Sequence, residues 1–396
     1  MRLRIAILGT RGIPNHYGGF ENLAEHLAPA LVSAGHEVYV YNSHNHPFRG
    51  DKWKGVNIVH CLDPENRIGT AGQFLYDLNC ILDVRKKDPD VILQLGYSSS
   101  SVWGRLLPAR SVIIYHMDGL EWQRTKYSAP VRKFLKVAEK LAVRVSDFYL
   151  CDSRAIQTYL RGKYGIDSEY IAYGADIHPA AEEDLLKEYG LSRSGYCLLV
   201  ARMEPENNIE TILDGFSRSR TTKKCVVVGD TGTSFGRHLL NKFEKDKRIL
   251  FIGAIFDEQK LHALKFYSHF YFHGHSVGGT NPSLLEAMAG RALIVAHDNV
   301  FNREVLGEDA YYFSTAGEIA AIIGNTHRGQ VEERMIRNNL CKIERQYNWQ
   351  RTISRYERFL QDCVHIDRDG KPSPVIVREE QYVDDETILY RRYADQ

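Results

Sequence analysis

Apolar residues in this chain fall into short continuous runs, separated by glycine-rich or polar turns and by stretches of helical period. Leu3 to Leu8 is the first run. It is too continuous for a strand with one wetted face, so it predicts a strand buried on both faces of a parallel sheet. Leu23, Leu27 and Leu31 then recur every four residues, as on one helix face, with Pro29 as a local strain. Gly35 ends that helix, and Val38 to Tyr41 begins the next strand. The alternation continues with strands expected at Val56–His60, Val91–Leu95, Val112–Tyr115, Phe148–Cys151 and Glu169–Ala172.

The pattern breaks between residues 173 and 195, where a polar helical stretch, Glu182–Tyr189, intervenes. It restarts at Tyr196–Val200 and continues through Cys225–Val228, Ile249–Ile252, Phe270–Phe272 and Leu293–Ala296. Strand–helix alternation with short connections predicts an α/β fold of two doubly wound parallel sheets facing a cleft. The expected boundaries are 1–180, 192–345, a helix over 346–364 returning to the first domain, and a polar tail over 365–396. In open sheets of this kind ligands bind at the carboxyl ends of the strands, so chemistry is sought at the strand-to-loop junctions.

Composition narrows the function classes. Of 396 residues, 43% are hydrophobic and 26% charged, as in soluble globular enzymes, and the net charge of +1 gives no general attraction for nucleic acid. The seven cysteines are scattered and form no C-x-x-C pair, so neither a zinc site nor a disulfide framework is expected. No leader-like segment precedes the first strand, and no apolar run approaches the roughly 20 residues of a membrane span. A cytoplasmic protein is expected, at most peripheral on the inner face of the membrane. The stretch Val131–Ser146 supplies the reason for that last clause. Arg132, Lys136, Lys140 and Arg144 recur every four residues beside Lys133, and Phe134, Val137, Leu141 and Val145 line another face. That is the pattern of a basic amphipathic helix suited to an anionic membrane surface, although packing on the sheet would explain the apolar face equally well.

The richest segment runs from His273 to Gly290. A strand leads into Gly278-Gly279-Thr280-Asn281, and Pro282 opens a helix where its missing N–H costs nothing. Free N–H groups of the turn and first helical turn can hold phosphate or sugar oxygens. Glu286, one turn into the helix among apolar neighbours, can accept two hydrogen bonds from vicinal ribose hydroxyls. A capped helix with a solvated Glu is the plainer alternative. Arg202 follows the first strand of the second half, with Asn207 five residues on, and Gly229-Asp230 follows the strand Cys225–Val228. In the first half, Gly18 and Gly19 precede a helix, and His116 and Asp118 follow the strand Val112–Tyr115, where a core histidine and a helix cap are the alternatives. No carboxylate pair is well placed for a metal.

The segment 278–289 resembles the donor motif of retaining GT-B glycosyltransferases of the Glu-x7-Glu type, a group similar to glycosyltransferase family 4. The match lies at Pro282, Leu285, Glu286, Ala287, Met288 and Ala289. Gly278 stands where that motif has its first Glu, and Asn207 where the group has a Lys after its Arg. The strings Gly9-Thr10-Arg11-Gly12-Ile13-Pro14 with Tyr17-Gly18-Gly19-Phe20-Glu21, and Pro205-Glu206-Asn207-Asn208-Ile209, resemble one subgroup, the bacterial rhamnosyltransferases of capsule and cell-wall polysaccharide synthesis. The resemblance spans about residues 3–360.

It implies transfer of a sugar, with L-rhamnose a candidate, from dTDP-rhamnose or a UDP-sugar to a lipid-linked saccharide, without a metal cofactor. It also implies roles. Glu286, Gly278, Gly279, Thr280, Asn281, Asn207, Gly229 and Asp230 would bind the donor. Arg202 would stabilise the leaving diphosphate, His116 and Asp118 would meet donor sugar or acceptor, and Gly18 and Gly19 would form a cleft loop near the donor phosphates and the acceptor. A nucleotide-sugar epimerase of the same fold and a non-catalytic nucleotide-sugar-binding protein remain alternatives at this point.

Overall fold

The computed structural model describes residues 1–16, 18–117 and 119–368. The chain divides into two compact units. The first comprises Met1–Gln123, Ser128–Tyr173 and the chain from Trp349; the second comprises Arg124–Tyr127 and Gly174–Asn348.

The first unit carries eight strands: β1 (Arg4–Leu8), β2 (Glu37–Ser43), β3 (Lys52–Trp53), β4 (Val56–Cys61), β5 (Val91–Leu95), β6 (Val112–His116), β7 (Phe148–Cys151) and β8 (Glu169–Tyr170). Their order is β3-β4-β2-β1-β5-β6-β7-β8. All pair in parallel except the short β3, which runs antiparallel to β4. The continuous apolar runs are the reason. Ile5, Ile7, Val38, Val40, Val91, Ile92 and Leu93 have no exposed surface, as strands covered by helices on both faces require.

The second unit carries β9 (Tyr196–Val200), β10 (Lys224–Val228), β11 (Ile249–Phe251), β12 (Tyr271–His273), β13 (Ile294–His297) and β14 (Tyr311–Phe313), in the order β11-β10-β9-β12-β13-β14, all parallel. Its core is built from Cys197, Leu199, Ile212, Phe216, Cys225, Val227, Phe270 and Phe272.

Both sheets wind outward from their first strand in two directions. Chain order therefore reverses between β1 and β5 in one sheet and between β9 and β12 in the other. Loops leaving the two central strands part there and open a crevice at the carboxyl edge.

Four local differences from the sequence pattern have physical causes. β3 and β14 are two- and three-residue strands, too short to give a period of their own. β8 ends at Tyr170: Ile171 N still donates to the Cys151 carbonyl at 2.9 Å, whereas Ala172 offers its carbonyl to Thr352 Oγ1 at 3.1 Å. The last helix, Trp349–Arg368, runs beyond the expected end, because Tyr356, Leu360, Cys363 and Val364 keep one face buried. It packs on the helix Gly19–Ser33, with Trp349 stacked on His26 at 4.0 Å. The expected tail lies, from residue 369 on, outside the described residues.

The fourth difference concerns the basic helix, Ala129–Val145. Its core face is Leu135, Ala138, Glu139 and Ala142, and the apolar set expected for a membrane is divided. Phe134 packs against Phe74 and Val145 lies over Gly104, whereas Val137 remains half exposed. Glu139 is 1% exposed and is satisfied inside the unit: Tyr159 Oη at 2.8 Å, Tyr164 Oη at 2.6 Å, Lys163 Nζ at 2.7 Å and Trp122 Nε1 at 3.1 Å all donate to it.

Close backbone approach fixes the loops at the reversal points. A Cβ at Gly274, just after β12, would lie 2.0 Å from the Asn207 carbonyl oxygen. A Cβ at Gly9, just after β1, would lie 2.0 Å from that of Leu95, and Gly9 also has φ +85°. Neither neighbour is a flexible side chain, so both positions require glycine. Gly324, inside the helix Ala316–Asn325, has open space around it. We expect Gly274→Ala to lower the melting temperature by several degrees in calorimetry, and Gly324→Ala to leave it unchanged or raise it, since helical glycine costs roughly 0.5–1 kcal/mol relative to alanine.

Candidate functional site

The crevice of the second unit is made by the loops that follow β9, β10, β12 and β13. Arg202, two residues past β9, is exposed. The turn after it is held to the loop after β12 by three bonds. Asn208 Nδ2 donates to the Gly274 carbonyl at 2.8 Å, and Ser276 donates to the Glu206 carbonyl through Oγ at 2.8 Å and N at 3.2 Å. Asn299 and Asn302 donate through Nδ2 to the His275 carbonyl at 3.0 and 3.1 Å, fixing the same loop from the side of β13.

Gly278 and Gly279 lie half-buried in the middle of this loop, and Gly278 has φ +127° with no atom near its missing Cβ. Thr280 is buried. The helix Pro282–Ala289 starts at Asn281, whose Oδ1 accepts from Ser283 N at 3.0 Å and from Ser283 Oγ at 2.8 Å. That oxygen caps the helix, so the Asn281 side chain reaches a ligand only through its amide nitrogen. Glu286 lies one turn in, its side chain 43% exposed, with Oε2 held at 2.6 Å by Lys265 Nζ. Lys265 is itself 5% exposed, so a buried ammonium holds one oxygen of a half-exposed carboxylate and restricts its direction.

Two of the expected ligands make bonds within their own turns. Asn207 is buried, and its Nδ2 donates to the Arg202 carbonyl at 2.8 Å. That bond closes the turn after β9. Asp230 is exposed beyond Gly229, and its Oδ1 accepts from Gly232 N at 2.9 Å, a turn-forming bond within the loop after β10.

In the first unit the crevice is lined by the loops after β1 and β5. Gly18 is the N-cap of the helix Gly19–Ser33, and its carbonyl accepts from Asn22 N at 3.0 Å. Glu21, 5% exposed, takes the Arg11 N–H at 2.7 Å. His116, expected to face a ligand, is fully buried against Phe20 at 5.3 Å and Tyr173 at 6.4 Å, and among the described residues neither of its ring nitrogens has a hydrogen-bond partner. It presents no surface to a ligand in this conformation. The apolar character of the run that ends in it continues through the histidine. Asp118 lies outside the described residues.

Sequence reasoning missed three buried charges. Glu139 and Lys265 sit in stretches that read as polar helix faces. Glu206 was visible only as part of a motif string, yet it is 4% exposed and its carboxylate oxygens have no hydrogen-bond partner among the described residues. Asp77 is a further buried acid. It accepts from Ser99 Oγ at 2.5 Å in the loop after β5, and burial pushes its carboxyl up to about 7.

The site histidines are held neutral. Burial lowers His116 to about 3; burial, with Arg202 and Arg124 adding positive charge, lowers His275 to about 3. In the unfolded chain both return to about 6.5. The native state then binds fewer protons than the unfolded state below that pH, so stability present above pH 6.5 is lost as pH falls toward 3. We expect His275→Gln and His116→Gln each to flatten the fall of melting temperature between pH 6.5 and 4, measured by circular dichroism. An unchanged slope in both would contradict buried neutral imidazoles.

A family model described as a domain of unknown function (DUF1972) matches residues 107–176. A comparison with curated protein sequences finds no match. Solved structures resemble nearly the whole chain. The sucrose-phosphate synthase of Thermosynechococcus elongatus superimposes with a TM-score of 0.78 at 16% identity, over 91% of this chain and 99% of that one. The HepE protein of Anabaena, in complex with UDP, gives 0.69 at 16% identity, over 91% and 100%. The α,α-trehalose 6-phosphate synthase of Burkholderia multivorans gives 0.68 at 12% identity, over 93% and 98%. With its two parallel-sheet domains, one of eight strands and one of six, the chain has the GT-B glycosyltransferase fold.

Proposed function

We propose that this protein is a retaining glycosyltransferase that takes a sugar from a nucleoside diphosphate. The observation that carries the reading is the carboxyl edge of one sheet, where exposed Arg202 follows β9 and the helix Pro282–Ala289, with the half-exposed Glu286 one turn in, follows the adjacent β12. An anion at the helix N-terminus and a vicinal diol at a carboxylate are the two ends of a nucleoside diphosphate. HepE has been solved with UDP and with UDP-glucose, which supports the same ligand class here.

In this reading Glu286 accepts from the ribose hydroxyls, pre-aimed by Lys265. The Gly278–Gly279 backbone approaches the phosphates. Arg202 meets the charge that grows on the leaving diphosphate, in place of a metal ion. The leaving phosphate itself takes the acceptor proton on the same face of the sugar, so a retaining transfer needs no second carboxylate. Gly18 and Gly19 belong to the acceptor side. The motif strings favour L-rhamnose as the sugar and polysaccharide assembly as the setting, with a lipid-linked saccharide as acceptor.

The basic helix Ala129–Val145 supports the lipid-linked acceptor. Arg132, Lys133, Lys136, Lys140 and Arg144 are all exposed, with Val131 and Val137 between them. The helix packs against the segment Ser100–Leu106, which in turn packs against the helix Ala71–Val84, and these neighbours expose Val102, Leu75 and Leu82. Each basic side chain near an anionic surface contributes about 1 kcal/mol. No helix among the described residues is long and apolar enough to cross a membrane, so attachment of this kind would be reversible.

Two outcomes test the proposal. Glu286→Ala is expected to weaken both UDP or dTDP and the matching nucleoside by at least about tenfold in calorimetry, the loss of a charge-assisted hydrogen bond worth roughly 1.5–3 kcal/mol. Unchanged affinity removes the ribose assignment. Vesicles of phosphatidylglycerol are expected to sediment the protein at low salt and release it at high salt. The pair Lys136→Glu with Lys140→Glu is expected to abolish sedimentation while leaving nucleotide affinity intact; equal binding by the variant removes the membrane face.

A further inference from the structure

The helix Ala71–Val84 turns one face inward through Gly72, Tyr76, Cys80, Ile81 and Val84, and Asp77 lies on that face. The helical period expects an apolar residue there, and a carboxylate taken out of water is costly unless something answers it. Ser99 Oγ donates to Asp77 Oδ2 at 2.5 Å. The nearby cation, Arg11, gives its Nη2 to Glu65 Oε1 at 3.1 Å and lies 3.8 Å from Asp63. Burial outweighs both neighbours, which is why the Asp77 carboxyl stands at about 7.

Behind this pair the first sheet presents further polar groups. Gln94 of β5 and Tyr115 of β6 are register partners, so their side chains share one face of the sheet. Gln94 is 1% exposed and Tyr115 has no exposed surface, yet among the described residues neither Gln94 Oε1 nor Tyr115 Oη has a hydrogen-bond partner. The charge of Asp77 acts on the Tyr115 hydroxyl, so the two belong to one cluster. The Gln94 amide borders Gly9, where a Cβ would lie 2.6 Å from Nε2. The cluster therefore sits where β1 and β5 part, and Ser99, half-buried in the loop after β5, brings it to the crevice. Buried oxygens without a protein partner are met by water or by a ligand.

The chemistry of the set selects the ligand. Gln94 Oε1 and the Asp77 carboxylate accept, and Ser99 gives its one proton to Asp77, so Ser99 Oγ also has only lone pairs to offer. A phosphate, itself an acceptor, gains little from such a set. A sugar hydroxyl brings a proton to donate and lone pairs that can take the Tyr115 proton. We propose that Asp77 and Ser99, backed by Tyr115 and Gln94, bind a hydroxyl group of the acceptor saccharide in the first unit. Ser99 meets the sugar at the crevice, and Asp77 holds the Ser99 proton inward. That the ligand is a saccharide rests on the glycosyltransferase reading above; no residue of the donor site takes part.

The test is saturation-transfer NMR of the full chain with the methyl glycosides of rhamnose, glucose, galactose and N-acetylglucosamine, beside calorimetry with UDP and dTDP. At least one glycoside is expected to receive saturation from the wild type. Ser99→Ala and Asp77→Asn are each expected to weaken that glycoside about tenfold or more, with nucleotide affinity and the near-ultraviolet circular dichroism spectrum unchanged. Ser99→Thr, which keeps the hydroxyl, should retain most of the affinity. Equal glycoside binding by Ser99→Ala and Asp77→Asn leaves a buried water as the partner of the cluster and overturns the assignment. Loss of glycoside together with an altered spectrum in both variants makes the pair structural, and the assignment fails. A wild type that binds none of the glycosides also overturns it, whatever the nucleotides do. If the wild type binds a glycoside through these residues but neither nucleotide, the donor site falls and the saccharide site stands.

Discussion

The arrangement of both crevices depends on backbone passing over backbone without a side chain between. At Gly274 the loop leaving β12 crosses the carbonyl of Asn207, and at Gly9 the loop leaving β1 crosses that of Leu95. Neighbouring parallel strands lie a little under 5 Å apart, and where a loop leaving one folds over the backbone of the next, no room remains for a Cβ. The glycines let the loops cross, and the crossing aims them outward over the carboxyl edge. Arg202, Gly278, Gly279 and Glu286 all stand on the two loops that cross at Gly274 or on the helix that follows.

Onto this frame the protein places charges out of water and makes them rigid. Lys265 directs Glu286, Glu206 faces Arg124 and Lys126, and Glu139 gathers two tyrosines, a tryptophan and a lysine. In each case a partner that could not remain alone in a buried place fixes the direction of its neighbour. That is a costly way to gain stability and a direct way to gain geometry. A site that must distinguish a phosphate from a sugar hydroxyl needs the geometry.

The fold was legible because continuous apolar runs of five or six residues have few other meanings. Leu3 to Leu8, Val91 to Leu95 and Tyr196 to Val200 all became central or inner strands. The helix at Pro282 was legible from Asn281 and Pro282, and Glu286 was legible from its place behind them. What escaped was anything decided by tertiary contact. No local pattern says that Asn207 turns back to its own turn, that His116 is enclosed by Phe20 and Tyr173, or that Arg124 joins the unit that follows it. Glu139 reads as one more charge on a charged helix; only the arrival of Tyr159, Lys163 and Tyr164 from the next helix makes it interior.

The residues from 107 to 176 match a family of their own, yet they are not a body that could stand alone. Within them β6 is paired on one side to β7, but its other side is bonded along its whole length to β5, from Val91 opposite Val112 to Leu95 opposite His116. Cutting the chain at 107 would expose that edge, strip the buried faces of Ile114 and Tyr115 of their cover, and invite edge-to-edge aggregation. The matched segment is therefore better understood as one flank of a larger sheet. Its autonomy as a folding unit is denied by its own hydrogen bonds.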